Sequence, residues 1–223
     1  MMWYEEYGIT KPYYADQWVC IVCADCRDIL PLIPDKSIDL VLTDPPYLKE
    51  FIYLYEELAI ASERLLKDEG LVIAYSGHYH LPEVLELMGR HLKFYWIFCL
   101  LHQGGASKMI FEKRISCFFK PIVAFSKDRR SEKTPIISDV IQGSGRAKSN
   151  HKWEQGSDEL SPFLNKYTQK EDLILDPFLG SGTTAYCAKK LNRKCIGVEI
   201  EERYAHIAAQ RCSQGVFNFG GIK

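Results

Sequence analysis

The chain has 223 residues, 47% of them hydrophobic, and its 28 basic and 29 acidic side chains give a net charge of −1. That length and apolar content suffice for one compact domain spanning residues 1–223. The longest apolar run, Phe94 to Leu101, is too short to span a bilayer, and the aromatic, acidic stretch Met1 to Tyr7 does not resemble a secretion signal. We therefore expect a cytoplasmic protein with no membrane association.

The first predicted strand, Trp18 to Cys23, contains two of three cysteines that recur at two-residue intervals: Cys20, Cys23 and Cys26. Such spacing occurs in zinc and iron–sulfur sites, but a fourth ligand is missing nearby. In an intracellular protein, cysteines are more often reduced and serve as small core residues. We therefore predict no metal site.

The apolar run Ile38 to Leu42 predicts a buried strand, which ends at Asp44-Pro45-Pro46-Tyr47. Two consecutive prolines cannot continue a hydrogen-bonded strand, so a carboxylate, prolyl carbonyls and an aromatic ring remain at its end. A carboxylate and a carbonyl can each accept one N–H from a planar amino group, and the ring can stack on a heterocycle. An ordinary Asp-Pro turn is the alternative at this point.

The next elements alternate between helix and strand. Helical spacing of apolar residues covers Phe51 to Leu66, and a second helix with proline in its first turn covers Pro82 to His91. Strands are predicted at Leu71 to Tyr75, Lys93 to Leu101 and Ile122 to Ser126. The order favours an α/β fold with a mostly parallel sheet.

A basic segment occupies about residues 102–152. From Leu101 to Lys152 there are eleven Lys or Arg and four Asp or Glu, an excess of +7 in a chain whose net charge is −1. Local positive charge of this kind suits phosphate binding, although a solvated charged loop is the simpler alternative. Lys108, Lys113 and Arg114 are the candidate contacts to nucleic-acid phosphates in this segment.

A second motif begins at the short apolar strand Leu173 to Leu175. Asp176 to Thr184 reads DPFLGSGTT and is followed by a helical stretch, Ala185 to Leu191, and a strand, Lys194 to Val198. A glycine turn between strand and helix brings backbone N–H groups to an anionic ligand. Glu199, at the end of the second strand, stands close to the spacing at which an acid binds ribose hydroxyls. A final helix is predicted from Glu202 to Cys212.

Together the two motifs resemble the amino-group DNA methyltransferases that use S-adenosylmethionine, in the beta-type order with Asp-Pro-Pro-Tyr first. The resemblance extends over most of the chain and includes Lys120 to Ser126. His151 to Gln155 is similar to a variant found in small phage-type members, where the commoner pattern is His-Pro-Thr-x-Lys-Pro. The implied fold is a Rossmann-like, doubly wound, mostly parallel sheet in circularly permuted order, with the cofactor half at residues 170–215.

The resemblance also implies roles for single residues. The catalytic set is Asp44, Pro45, Pro46 and Tyr47, with Asp44 and the Pro45 carbonyl accepting amino hydrogens and Tyr47 stacking on the base. The residues implied to bind S-adenosylmethionine are Asp25, Asp176, Pro177, Phe178, Gly180, Ser181, Gly182, Thr183 and Glu199. The partner is DNA with its target base flipped out, and restriction–modification is the implied setting. A homodimer is left open.

Asp at the first position of the catalytic motif favours adenine N6 as the target, with cytosine N4 as the alternative. Gly180-x-Gly182-x-x-Ala185 also fits a looser dinucleotide fingerprint, so a nicotinamide-dependent oxidoreductase is a rival. Too little chain follows for the second half of such a fold, and Asp44 to Tyr47 would then have no role. A methyltransferase-shaped DNA-binding module without activity is the third hypothesis.

Overall fold

A computed structural model describes residues 2–101, 108–110, 113–128, 136–143 and 157–214. In these ranges the chain forms one nine-stranded sheet, a separate two-stranded hairpin and helices on both faces of the large sheet. None of the helices in these ranges has the length and apolarity that crossing a lipid bilayer requires.

The strands have the following bounds: β1 Tyr14–Ala15, β2 Val19–Cys23, β3 Ile38–Thr43, β4 Leu66–Tyr75, β5 Lys93–Leu101, β6 Lys108–Ile110, β7 Ile115–Cys117, β8 Phe119–Ser126, β9 Val140–Gln142, β10 Leu173–Asp176 and β11 Lys194–Glu199. The α-helices are α1 Cys26–Ile29, α2 Tyr53–Leu65, α3 Leu81–Gly89, α4 Ser157–Tyr167, α5 Thr183–Lys190 and α6 Glu202–Ser213. Short 3₁₀ turns cover Trp3–Tyr7, Leu30–Leu32 and Lys49–Phe51.

The large sheet has the order β1-β2-β11-β10-β3-β4-β8-β5-β9. Its central block, from β2 to β4, is entirely parallel, whereas β8 is antiparallel to both of its neighbours. The chain leaves β3 through α2 towards β4, and it leaves β10 through α5 towards β11. The order therefore reverses between β3 and β10, which is where ligands bind in doubly wound sheets.

Both faces of the sheet are covered, so the central strands read as continuous apolar runs. One face packs against α2 and α3 through residues such as Tyr55, Leu58 and Met88. The opposite face packs against α4, α5 and α6 through residues such as Phe163 and Ala208. Burial on both sides explains why β3 and β10 show no polar alternation in the sequence.

The expected α/β sheet is confirmed, and the predicted strands and helices lie where the sequence placed them, with shifts of a few residues at their ends. The strand predicted at Leu71 to Tyr75 is longer, beginning at Leu66 directly after α2. The N-terminal arm packs on the domain: Tyr4 is buried, and the Trp3 indole donates a hydrogen bond to the carbonyl of Asp16 at 2.8 Å.

Candidate functional site

A crevice opens at the carboxyl edge of the parallel strands, at the reversal point between β3 and β10. Its cavity of about 430 Å³ is lined by Asp25 after β2, Asp44 after β3, Gly180 after β10 and Glu199 at the end of β11. Parallel pairing of β2, β11, β10 and β3 forces these strand ends to one edge. The two sequence motifs, more than 130 residues apart, thus face a single cavity.

The glycine turn after β10 depends on two left-handed residues. Gly180 has φ +55°, and a side chain there would meet no heavy atom within 4 Å, so the backbone faces open space. Gly182 has φ +82°, and a Cβ there would lie 2.7 Å from the Cβ of Ala208 on α6. Gly180 therefore leaves room for a ligand to approach the backbone, whereas Gly182 is required for packing as well as for conformation.

Asp176 supports this turn from beneath. Its side chain is only 2% exposed, and Oδ1 accepts hydrogen bonds from the Thr43 hydroxyl at 2.6 Å and from the backbone N–H of Phe178 at 3.1 Å. Burial raises the pKa of Asp176 to about 6. The carboxylate connects the ends of β3 and β10, the strands between which the sheet order reverses.

Glu199 accepts two backbone hydrogen bonds at the adjacent strand end. Oε2 binds the N–H of Gly180 at 2.7 Å and Oε1 binds the N–H of Glu201 at 2.8 Å. A carboxylate has about four lone-pair sites, so two remain for further donors. The side chain is 9% exposed and lines the cavity, which suits it to a pair of ligand hydroxyls.

Asp25 is fixed in place by its own helix. Its carboxylate caps α1 by accepting a hydrogen bond from the backbone N–H of Arg27 at 2.9 Å. It also pairs with the Arg27 guanidinium, whose Nη2 lies 2.5 Å from Oδ2. The hydrogen bonds from Arg27 lower the pKa of Asp25. Asp25 therefore reaches the cavity as an ionised, already engaged acceptor.

Of the remaining residues of the cofactor motif, some line the cavity and others stabilise the surrounding structure. Pro177 is buried and Phe178 is partly exposed, and both line the cavity, whereas Ser181 is partly exposed beside it. The Thr183 hydroxyl accepts a hydrogen bond from Arg211 on α6 at 2.8 Å. Thr183 therefore has a structural partner whether or not it contacts a ligand.

Several wall residues had no signal in the sequence. Tyr53, Ile200 and Tyr204 are exposed side chains that line the cavity together with Phe178. Only the chain fold brings α2, the β11–α6 connection and the glycine turn into contact with one cavity. Aromatic and aliphatic walls of this kind can enclose a planar heterocycle.

Asp44 and Lys120 form an ion pair at the β3 end of the crevice. The Lys120 ammonium lies 3.1 Å from Oδ1 and 2.8 Å from Oδ2 of Asp44. The Asp44 side chain is 51% exposed, whereas that of Lys120 is 24% exposed. Desolvation by the crevice walls raises the pKa of Asp44, and the charge of Lys120 opposes this rise.

Tyr47 stands beside this ion pair, after Pro45, which is buried, and Pro46, which lines the cavity. The Lys120 ammonium lies 4.6 Å from the centre of the Tyr47 ring. A Cβ on Gly77 would lie 3.2 Å from the Cβ of Tyr47, so this glycine lets the loop after β4 pack behind the ring. The Tyr47 hydroxyl is buried without a hydrogen-bond partner among the described residues, which a bound ligand or water would supply.

Two of the three candidate DNA contacts have described side chains. Lys113 and Arg114 are exposed just before β7, and the Lys113 ammonium lies 5.5 Å from the Tyr79 ring centre. Lys108 begins β6, the partner strand of the hairpin. His151 to Gln155 lies outside the described residues, as does much of the predicted basic segment.

Cys20 is fully buried within β2, and burial raises the pKa of its thiol to about 12. Burial likewise raises the pKa of the Cys26 thiol, to about 11. Within the described ranges, no group of three or more His, Cys, Asp or Glu side chains is arranged to hold a metal ion.

Residues 126–210 match the DNA methylase family of the N6/N4 group. The match includes the glycine turn and Glu199 but begins after Asp44. The chain is also 26% identical over 264 aligned positions to the Type II methyltransferase M2.LlaDCHI of Lactococcus lactis subsp. cremoris, covering 94% of this chain and 96% of that protein. Both matches are to DNA methyltransferases, and neither distinguishes adenine N6 from cytosine N4 as the target.

Solved structures share the fold. The PvuII DNA methyltransferase, which is cytosine-N4-specific, superposes with a TM-score of 0.78 at 20% identity, covering 96% of this chain and 91% of that one. The complex of M1.HpyAVI with S-adenosylmethionine superposes with a TM-score of 0.69 at 19% identity, covering 87% of this chain and 99% of that one. The Rossmann-like, mostly parallel α/β fold is therefore confirmed, and the second of these neighbours was solved with S-adenosylmethionine bound.

The buried carboxyl of Asp176 predicts a specific pH dependence of stability. Its pKa is about 6 in the folded protein and close to the usual 3.8 when unfolded, so the folded state binds the proton more tightly. The protonated Asp176 side chain therefore contributes its full stabilisation below about pH 4, and this contribution is lost as the pH rises through 6. Asp176→Asn does not ionise, so its free energy of unfolding relative to the parent should increase by about 2–3 kcal/mol between pH 4 and pH 7.5.

Urea unfolding at the two pH values measures this change, with Asp28→Asn as the control for an exposed carboxyl. A difference between Asp176→Asn and parent that stays constant with pH would contradict a buried, ionising Asp176.

Proposed function

We propose that this chain is an S-adenosylmethionine-dependent DNA methyltransferase of the beta-type motif order that methylates the N6 amino group of a flipped adenine. The observation that carries the proposal is a single cavity of about 430 Å³. It is lined by Asp44 and also by Gly180 and Glu199, two of the residues expected to bind the cofactor. A methyl donor and an acceptor amine must meet in one place, and this cavity lies within the size range of small-molecule sites.

The cofactor half of the cavity fits the molecule we assign to it. The open space over Gly180 lets a ligand approach the backbone. The remaining acceptor sites of Glu199 suit a ribose diol, and the walls formed by Phe178 and Ile200 suit a heterocycle. S-adenosylmethionine, when bound, supplies a methyl group on a sulfonium sulfur, which departs as a neutral thioether. We assign Asp25 to the adenine side and Glu199 to the ribose hydroxyls.

The Asp44 half of the cavity performs the chemistry on the base. An exocyclic amino group is a poor nucleophile because its lone pair is delocalised into the ring. Asp44 and the Pro45 carbonyl accept its two hydrogens and favour a more tetrahedral nitrogen, while Tyr47 stacks on the base. As the nitrogen–carbon bond forms and the carbon–sulfur bond breaks, one amino proton must leave. Asp44 is the nearby carboxylate, and its raised pKa suits it to receive that proton.

The base must leave the duplex to reach Asp44, and the hairpin of β6 and β7 gives the DNA a basic surface beside the cavity. Lys113 lies over Tyr79 in the loop after β4, and Gly77 of the same loop packs against Tyr47. The hairpin therefore adjoins the wall that holds the stacking ring. Phosphates flanking the flipped nucleotide would contact Lys108, Lys113 and Arg114.

The choice of adenine rests on Asp44, because Asp at this position resembles the adenine enzymes more closely. We predict that the purified protein, incubated with S-adenosylmethionine and mixed-sequence DNA, forms N6-methyladenine, identified by mass spectrometry of the digested nucleosides. Asp44→Ala should abolish transfer while cofactor binding persists, because we assign the Asp44 side chain to the base and not to the cofactor.

Methylcytidine alone would overturn the choice of base but leave the cavity and the cofactor in place. The absence of any methylated nucleoside would contradict the proposed function, and transfer by Asp44→Ala at the parent rate would remove Asp44 from the mechanism.

The ribose assignment predicts that Glu199→Ala weakens S-adenosylmethionine binding roughly tenfold to hundredfold, because charge-assisted hydrogen bonds are lost. Isothermal titration calorimetry measures the affinity. Glu202→Ala is the matched control, since Glu202 is exposed at the start of α6 and does not line the cavity. Equal affinities for the two variants would place the ribose elsewhere.

The hairpin assignment predicts that Lys108→Glu, Lys113→Glu and Arg114→Glu each weaken DNA binding and flatten its dependence on salt concentration. Each phosphate contact that is lost reduces the slope of log K against log salt by about 1. Lys190→Glu makes the same charge change at the last residue of α5, at the opposite edge of the sheet. If the slope of log K against log salt is unchanged in all three hairpin variants, the DNA does not bind at the hairpin.

A further inference from the structure

Lys120 occupies the place where the target amino group is expected. Its ammonium lies 2.8 Å from Oδ2 of Asp44, the separation at which an amino nitrogen would donate to that oxygen. The same ammonium lies 4.6 Å from the ring centre of Tyr47 and 4.5 Å from that of Tyr75. A base that stacked on Tyr47 and donated to Asp44 would need the space that this ammonium fills.

The position of Lys120 is fixed by the sheet and not by a loop. It is the second residue of β8 and pairs with Leu100 of β5 in the register. The next residue, Pro121, accepts a hydrogen bond from the backbone N–H of Ser76 at 3.0 Å. Because β8 is antiparallel to β4, its amino end lies at the carboxyl edge of the parallel strands. Only the flexible stem of Lys120 can move when a base enters.

We propose that Lys120 is a specificity-determining residue that holds the base site in the free enzyme and then donates a hydrogen bond to the ring nitrogen beside the target amino group. The inference rests on the proposed function. An ammonium has three N–H donors, so Lys120 can keep one bond to Asp44, release the second oxygen to the amino group and turn another donor to the base.

The Asp44–Lys120 pair then reads two adjacent atoms of the flipped base. Asp44 accepts from an amino group, and Lys120 donates to an unprotonated ring nitrogen. Adenine presents this arrangement at N6 and N1, and cytosine presents it at N4 and N3. Guanine and thymine present the reverse, a carbonyl oxygen beside a ring N–H. With these bases, the acceptor Asp44 would face another acceptor and the donor Lys120 would face another donor. Mispaired buried polar groups are a strong source of discrimination.

A deazapurine cycle tests the contact. The parent enzyme and Lys120→Met are assayed on oligonucleotides in which the target adenine is intact, replaced by 1-deazaadenine, which lacks the acceptor nitrogen, or replaced by 3-deazaadenine, whose missing nitrogen is remote from the amino group. Intrinsic reactivity differences between the bases cancel when the two proteins are compared. If the enzyme methylates cytosine, 3-deazacytosine takes the place of 1-deazaadenine.

We expect the parent to lose roughly tenfold to hundredfold in kcat/KM on 1-deazaadenine relative to 3-deazaadenine, and Lys120→Met to lose less than about threefold. Lys127→Met, which makes the same change just beyond the far end of β8, should keep the parent's ratio. Lys120→Met should bind S-adenosylmethionine with the parent's affinity, which establishes that it is folded.

An equal 1-deaza effect in the parent and in Lys120→Met would overturn the inference while leaving the proposed function intact. A penalty on 3-deazaadenine as large as that on 1-deazaadenine would also overturn it, since the loss would then not depend on the nitrogen beside the amino group. A parent enzyme that methylates none of these bases would overturn the proposed function, and this inference with it.

Discussion

The hydrogen bond between Thr43 and Asp176 joins the two strand ends on which the candidate site depends. Thr43 ends β3 and Asp176 ends β10, and the sheet order reverses between them. The bond is buried, so water does not compete for it, and the same carboxylate fixes the backbone of Phe178. The Asp44 motif and the glycine turn are thereby held at a defined separation.

Asp25, Asp44 and Glu199, three of the carboxylates that line the crevice, are each already partly engaged. Asp25 pairs with Arg27, Glu199 accepts two backbone N–H groups, and Asp44 pairs with Lys120. Unlike Arg27, which lies close in sequence to the carboxylate it pairs with, Lys120 extends from a different strand, β8. Its charge lies in the space that the base needs. The geometry therefore separates a preformed cofactor half from a base half that must rearrange on binding.

The sequence was sufficient to predict the strands that carry the site, because two-faced burial makes most residues of β3 and β10 apolar, and the motif residues lie at or directly after the strand ends. Asp44 and Gly180 meet because both follow strands that pair in parallel. The sequence did not predict Lys120 as part of the site, because the antiparallel placement of β8 beside β4 depends on tertiary pairing. Tyr53 and Tyr204 were missed for the same reason: their helices approach the cavity only in the fold.

The central claim is that one crevice holds both the cofactor and the base-binding acid, and a crystal structure of the protein soaked with S-adenosylmethionine tests it most directly. We expect electron density between Phe178 and Ile200, with the ribose at Glu199 and the sulfonium methyl directed towards Asp44. A neighbouring cavity of about 410 Å³, lined by Leu30, Leu54 and Leu58 among others, should stay empty. Density in that neighbouring cavity, or a methyl group directed away from Asp44, would contradict the account.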